Sequence, residues 1–280
     1  MMTTTVQPKQ RTTFVPWIFY QTLVQRRRTL LYWMLALGGL TFYTASFYPT
    51  LVAGNQEALN NLVNELPPYM EALFGKMAGF TSPEGYLDAK LYLLFMPFVL
   101  MVYTIRFGTS IIAGEEQAKT IDLLLANPVS RTRVVLEKYA AMLVATALLV
   151  GVVGLAVWLA AVLYNFEVNT SGLVAVSLHL YGLIITLGTL AMFIANATAN
   201  TLVAAGVTAF IAVVSYFINS FAALSETAER LQPLSLFYYY RGHEPLFSGV
   251  HAADLGVFAL LSAIFLVLGV AAVNRRDLGA

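Results

Sequence analysis

Residues 139–163 read YAAMLVATALLVGVVGLAVWLAAVL, an apolar run without one charged side chain. A bilayer core about 30 Å thick takes about 20 such residues as a helix rising 1.5 Å per residue. Comparable windows occupy residues 29–53, 91–113, 173–194, 201–223 and 255–273, giving six spans in a 280-residue sequence that is 59% hydrophobic and 11% charged. These windows are apolar on every side rather than alternating, which selects helices over a lipid-facing barrel. The expected fold class is all-α and integral to the membrane. It is read as one transmembrane domain over 1–280, with 1–28 before the spans, 29–273 containing them and 274–280 after them.

Short loops that stay in the cytoplasm are rich in lysine and arginine. With both termini on the cytoplasmic side of the cell (inner) membrane, the inner pieces hold eleven basic residues: Lys9, Arg11, Arg26, Arg27, Arg28, Lys119, Arg131, Arg133, Lys138, Arg275 and Arg276. The outer pieces hold Lys76, Lys90, Arg230 and Arg241 with ten of the fifteen acidic residues. A net charge of +1 distributed this way carries no nucleic-acid signature, and the absence of cysteine excludes disulfides and thiolate metal sites. The stretch FVPWIFYQTLVQRRR, residues 14–28, places Phe14, Trp17, Ile18, Gln21 and Val24 at helical spacing ahead of a basic cluster. That fits either a helix lying in the inner interface or the first turns of span one. The outer pieces, 54–90 and 224–254, are too short for a separate enzyme domain.

Between spans two and three lies GEEQAKTIDLLLANPVSRTRVVLEK, residues 114–138, with eight charged side chains. Lys119-Thr120 superficially suggests a phosphate-binding loop, but Ala118 stands where the glycine must be and no strand precedes it. No nucleotide site is expected here. Thr120 suits a helix cap, Pro128 a stop, and Ile121, Leu124 and Leu125 fall on one face of a short helix. That apolar face either buries against the chain's own helix ends or seats in a partner. Ser130 then offers a cap for the helix that becomes span three.

This stretch resembles the segment after the second span in permease subunits of ATP-binding-cassette exporters of the second type. Glu115 and Glu116 match the acidic pair, Thr120 the threonine, Leu123, Leu124 and Leu125 the leucine run, and Pro128, Val129, Ser130 and Arg131 the P-V-S-R ending. Lys119 replaces the family's glycine, and Asp122 stands where glutamate is common. LSLFYYYRGHEPLFSG and NRRDLGA are similar to the family's outer segment and basic ending. The resemblance implies a six-span permease in the cell membrane that binds no cofactor itself and is no enzyme. ATP and magnesium would sit on two cytoplasmic ABC ATPase subunits, and a second permease copy or a related permease would complete the dimer among membrane lipids. Residues 120–126 would be the coupling helix, with Ile121, Leu124 and Leu125 in a groove of the ATPase. The acidic pair either meets basic groups on that partner or caps backbone amides.

Polar groups within spans are costly unless they face protein or a polar path. Tyr92, Met96, Val99, Tyr103, Arg106 and Ser110 form one face of span two, and Thr201, Thr208, Ser215 and Asn219 one face of span five. Both faces are expected to look inward. In the family the resemblance points to, spans two and five line the path, so Tyr103, Arg106, Ser110, Thr208, Ser215 and Asn219 are candidate path residues. Arg106 either snorkels to the cytoplasmic side or serves as gate or substrate contact. His179 reads as a helix contact and His243 and His251 as exposed residues, with no metal site expected. The leading function is export of something amphipathic or apolar. The alternative is a membrane scaffold passing ATPase-driven motion to another envelope machine, and an intramembrane enzyme is disfavoured because the spans offer no paired titratable groups near midplane.

Overall fold

The computed structural model describes residues 17–64, 67, 79–119, 129–224 and 226–276. Among the described residues, six helical stretches are long and apolar enough to cross a membrane: Trp17–Val52, Pro83–Thr109, Arg131–Tyr164, Thr170–Thr198, Thr201–Phe221 and Ala252–Arg275. In chain order the helices are α1 (Trp17–Ser46), α2 (Gln56–Asn64), α3 (Pro83–Leu87), α4 (Phe95–Thr109), α5 (Ala113–Gln117), α6 (Arg131–Tyr164), α7 (Thr170–Thr198), α8 (Thr201–Phe221), α9 (Glu226–Leu231), α10 (Leu236–Arg241), α11 (Pro245–Ser248) and α12 (Ala252–Arg275). No strand occurs among the described residues. The all-α membrane fold is as the sequence indicates.

Residues 17–28 are not a separate interfacial element but the first turns of α1. Neither glycine nor proline interrupts Trp17–Tyr32, and the first orphan amides find a partner far away in sequence. Ile18 N–H and Phe19 N–H donate to Glu137 Oε2 on α6 at 2.9 and 3.1 Å. A carboxylate at a helix N-terminus satisfies both the hydrogen-bonding deficit and the macrodipole.

Span two departs from the uninterrupted helix expected over 91–113. Helix α4 stops at Thr109, and the chain turns through Ser110–Ile112 before α5. Ser110 Oγ donates to the Phe107 carbonyl at 2.6 Å, the local competition by which serine loosens a helix end. At the other end of this span a π-helical turn, Asp88–Tyr92, joins α3 to α4.

Helix α7 is the hub, packing against α4, α6, α8 and α12. Its approach to α4 requires glycine, because a Cβ on Gly108 would lie 2.2 Å from the Gly188 carbonyl oxygen. Small residues let helix backbones meet this closely in a membrane. Asn169 and Asn200 cap α7 and α8, each accepting from two backbone amides, and Ala199 with φ 54° makes the tight turn between them.

At the end of the bundle where α4, α7 and α12 begin, α10 and α11 fold back onto the helices. Arg241 grips Asp88 through two bonds of 2.5 and 2.7 Å, and Tyr240 Oη donates to the Tyr92 carbonyl at 2.6 Å. Burial works against the Arg241 charge, but the facing Asp88 outweighs it and holds the guanidinium pKa above its usual value. Ser235 Oγ donates to the Ser215 carbonyl at 2.7 Å, while Phe237 stacks among Phe98 and Tyr216.

Candidate functional site: the ionic frame around residues 114–131

At the opposite end, the two flanks of the charged segment are held by the chain's own basic residues. Ser130 caps α6 by accepting from Arg133 N–H at 3.3 Å. Helix α6 then runs 34 residues, roughly 51 Å at 1.5 Å per residue, well beyond a core of about 30 Å. It is longer than a span needs, and its first two turns carry its charged residues, Arg131, Arg133, Glu137 and Lys138.

Lys138 Nζ lies 2.7 Å from Glu115 Oε1 and donates to the Ile111 carbonyl at 3.1 Å. That carbonyl belongs to the turn between α4 and α5, so one ammonium both fills the break in span two and holds the segment after it. Arg133 Nε meets Glu137 Oε1 at 2.6 Å, and Glu137 caps α1 as described above. Arg276 donates to Glu116 at 3.2 and 3.3 Å and to the Asn196 carbonyl at 2.6 Å, while Arg131 donates to the Arg276 carbonyl at 2.6 Å. Arg26 reaches from α1 to Ser110 Oγ at 2.5 Å, its guanidinium lying 4.0 Å over the Phe107 ring. Thr201 Oγ1 donates to Gln117 at 2.8 Å. Side chains from α1, α6 and α8 and Arg276, just after α12, thus converge on the leading flank of the segment, and Arg131 ties the return flank to Arg276.

The acidic pair, whose role the sequence left open, is engaged inside the chain: Glu115 with Lys138 and Glu116 with Arg276. Lys119, where the resembling family has glycine, adopts φ 56°, the left-handed conformation that glycine takes without strain. Val129, Ser130 and Arg131 form the return flank. Thr120, Ile121, Asp122, Leu123, Leu124, Leu125 and Pro128 lie outside the described residues, and with them the expected coupling helix.

The expected path residues fall into two groups. Tyr103 is buried, with its ring edge-on to Trp33 of α1 at 5.5 Å. Thr208 is fully buried, Ser215 bonds to Ser235, and Asn219 accepts from Gln232 at 3.2 Å. Ser110 belongs to the frame. Arg106 instead points away from the helix packing and is exposed, one turn from Val102, which is also exposed. Within one chain Tyr103, Thr208 and Ser215 are therefore packed against protein, while Arg106 is not. An apolar groove of about 580 Å³ beside Trp158 lies between α6 and α7, away from the frame.

The sequence reading treated Lys138 and Arg276 only as topological positive charges. The signal that could have found them is positional: Lys138 opens one long apolar window and Arg276 follows another, and charges at window ends need acidic partners such as Glu115 and Glu116 at the end of span two.

Six membrane-competent helices, no strand among the described residues and a charged segment whose flanks are tied to the bundle define a multi-pass membrane protein. Residues 18–278 match the family model described as ABC-2 family transporter protein, and the chain belongs to that family. No curated protein matches it. The family is one of ABC transporter permeases, so the chain is a transport subunit that works with an ABC ATPase.

Proposed function

We propose that this permease exports an amphipathic or apolar substrate, driven by two cytoplasmic ATPase subunits that carry the ATP and magnesium. It does so paired with a second permease copy and with both termini on the cytoplasmic side of the inner membrane. The observation that carries the reading is the ionic frame. A push on residues 120–128 enters the bundle through Glu115–Lys138 into α6 and through Glu116–Arg276 into α12, while Arg26 and Glu137 tie α1 to the same points. Packed helices so connected move as rigid levers rather than deforming.

The substrate path in this reading runs between the two permeases along the exposed faces of α4 and α8, where Val102, Arg106 and Phe210 lie. Tyr103, Thr208, Ser215 and Asn219 then support that wall from behind. An aromatic and aliphatic wall with one guanidinium suits a substrate that is mostly apolar with an anionic or polar end.

The test is ATP-driven movement. In membrane vesicles holding permease and ATPase together, a cysteine replacing Val102 should change its labelling by a water-soluble thiol reagent at least threefold on addition of ATP and magnesium. The response should vanish when Lys138→Met and Arg276→Gln are added. An equal response with and without the frame contradicts the proposed route.

A further inference from the structure

All three histidines of the chain converge on one carboxylate. Asp254 sits in the first turn of α12, nearly buried, and three imidazole nitrogens surround its Oδ2: His243 Nδ1 at 2.8 Å, His251 Nδ1 at 3.2 Å and His179 Nε2 at 3.8 Å. These come from three places in the chain, the α10–α11 turn, the residue before α12 and the buried face of α7. A carboxylate in a helix's first turn is ordinary in itself. What it does not explain is the company it keeps.

His179 supplies the decisive detail. Its side chain is 0% exposed, and Nδ1 lies 2.9 Å from the Ala175 carbonyl. A carbonyl oxygen only accepts, so Nδ1 carries the hydrogen, and in the neutral ring Nε2 is a bare lone pair. That lone pair is buried without a hydrogen-bond partner and faces the Asp254 oxygen, another acceptor. His251 Nδ1 is likewise buried and without a hydrogen-bond partner. His179 Nε2 and Asp254 Oδ2 are then two buried acceptors facing one another, an arrangement that a cation between them relieves.

We infer that His179, His243, His251 and Asp254 form a binding site for a divalent first-row transition cation of the zinc class. Four ligands at 2.0–2.2 Å in a tetrahedron stand roughly 3.3 Å apart; the three nitrogen-to-oxygen separations bracket that spacing, and the ligand atoms of His243, His251 and Asp254 all lie within 4.8 Å of one another, so binding draws them slightly together. Imidazole with one carboxylate selects zinc or copper over magnesium or calcium, which prefer all-oxygen shells. The His179 Nδ1–H bond to a backbone carbonyl is the outer contact that fixes the tautomer of a metal-ligating histidine. His243 and His251 are partly exposed, which gives the cation a way in; their rings are stacked with centroids 3.7 Å apart, so one ring has to turn for both Nδ1 lone pairs to meet the ion. Bound there, it fastens α7 and α12 to the folded-back α10–α11 segment. The site lies at the end of the bundle opposite the ionic frame and does not depend on the export reading.

The test uses the full chain, purified through a tag free of histidine, and Zn²⁺ as probe in competition with a chelating indicator. Native protein should hold about one Zn²⁺ per chain, a one-site stoichiometry. His243→Gln and His251→Gln, both partly exposed and tolerant of change, should each weaken binding at least tenfold. Glu226→Gln with Glu229→Gln, exposed acids on α9, should leave binding unchanged. Magnesium in excess should not compete. Native protein that holds no more Zn²⁺ than the His243→Gln/His251→Gln variant, or binds it with equal affinity, overturns the site. So does equal loss of binding in the α9 variant.

Discussion

Lys138 Nζ touches both the Glu115 carboxylate, at 2.7 Å, and the Ile111 carbonyl, at 3.1 Å, with only 7% of its side chain exposed. One buried ammonium thus closes the gap left where span two breaks and anchors the segment that follows. Replacing Lys138 with methionine keeps the stem and removes the charge, stranding a carbonyl and a carboxylate. A loss of about 1.5–3 kcal/mol is expected, the range for a hydrogen bond to a charged group. Thermal unfolding of native protein, Lys138→Met, Glu115→Gln and the double variant would measure the coupling. Strict additivity of the two single effects would contradict the pairing.

Lys119 holds a left-handed backbone at φ 56°. Glycine there relieves a conformation that costs other residues about 1 kcal/mol. Lys119→Gly should therefore leave ATPase binding intact and stability equal or slightly higher. A drop in melting temperature would show that the Lys119 side chain makes a contact that outweighs the strain.

Gly108 meets the Gly188 carbonyl so closely that an added Cβ would stand 2.2 Å from it. Gly108→Leu should separate α4 from α7 at a cost of about 1–3 kcal/mol or more, as overpacking does. Gly206→Leu on α8, where nothing lies within 4 Å of the added carbon, is the matched control. Similar losses in the two variants, read by thermal unfolding in detergent, would argue against close α4–α7 contact.

Thr208 is fully buried and Ser215 bonds to Ser235, whereas Phe210 is 69% exposed. Thr208→Trp should therefore act through stability, by forcing volume into a filled interior. Phe210→Trp should leave stability unchanged and alter only transport. Unfolding curves separate the two, and an unchanged melting temperature in Thr208→Trp would return that residue to the path wall.

The six spans were readable because lipid demands about twenty apolar residues in a row and no tertiary contact can supply them instead. The break at Ser110 was not readable, because Ile111, Ile112 and Ala113 continue the apolar pattern; the interruption depends on Lys138, distant in sequence, reaching the Ile111 carbonyl. The anchoring of the start of α1 likewise rests on Glu137, more than a hundred residues away. Polarity marks Thr208 and Ser215 as one face of α8, but period alone does not distinguish a face turned to a path from one packed on the chain's own folded-back segment, where Ser215 meets Ser235. The histidines looked unrelated because His179 lies in a span and the others near a folded-back segment, and only folding brings them to Asp254.

The proposed docking of an ATPase on residues 114–131 is tested most directly at Leu124. Leu124→Asp puts a carboxylate where an apolar groove would have to bury it unpaired, which costs far more than the contact gains. Permease isolated from its own membranes, native and Leu124→Asp at equal recovery, would be compared by quantitative mass spectrometry for a co-purifying ABC ATPase. The account predicts near-equimolar ATPase with the native chain and at least a tenfold loss with the variant. ATPase retained equally by both, or steady ATP hydrolysis by the permease stripped of every partner, would contradict it.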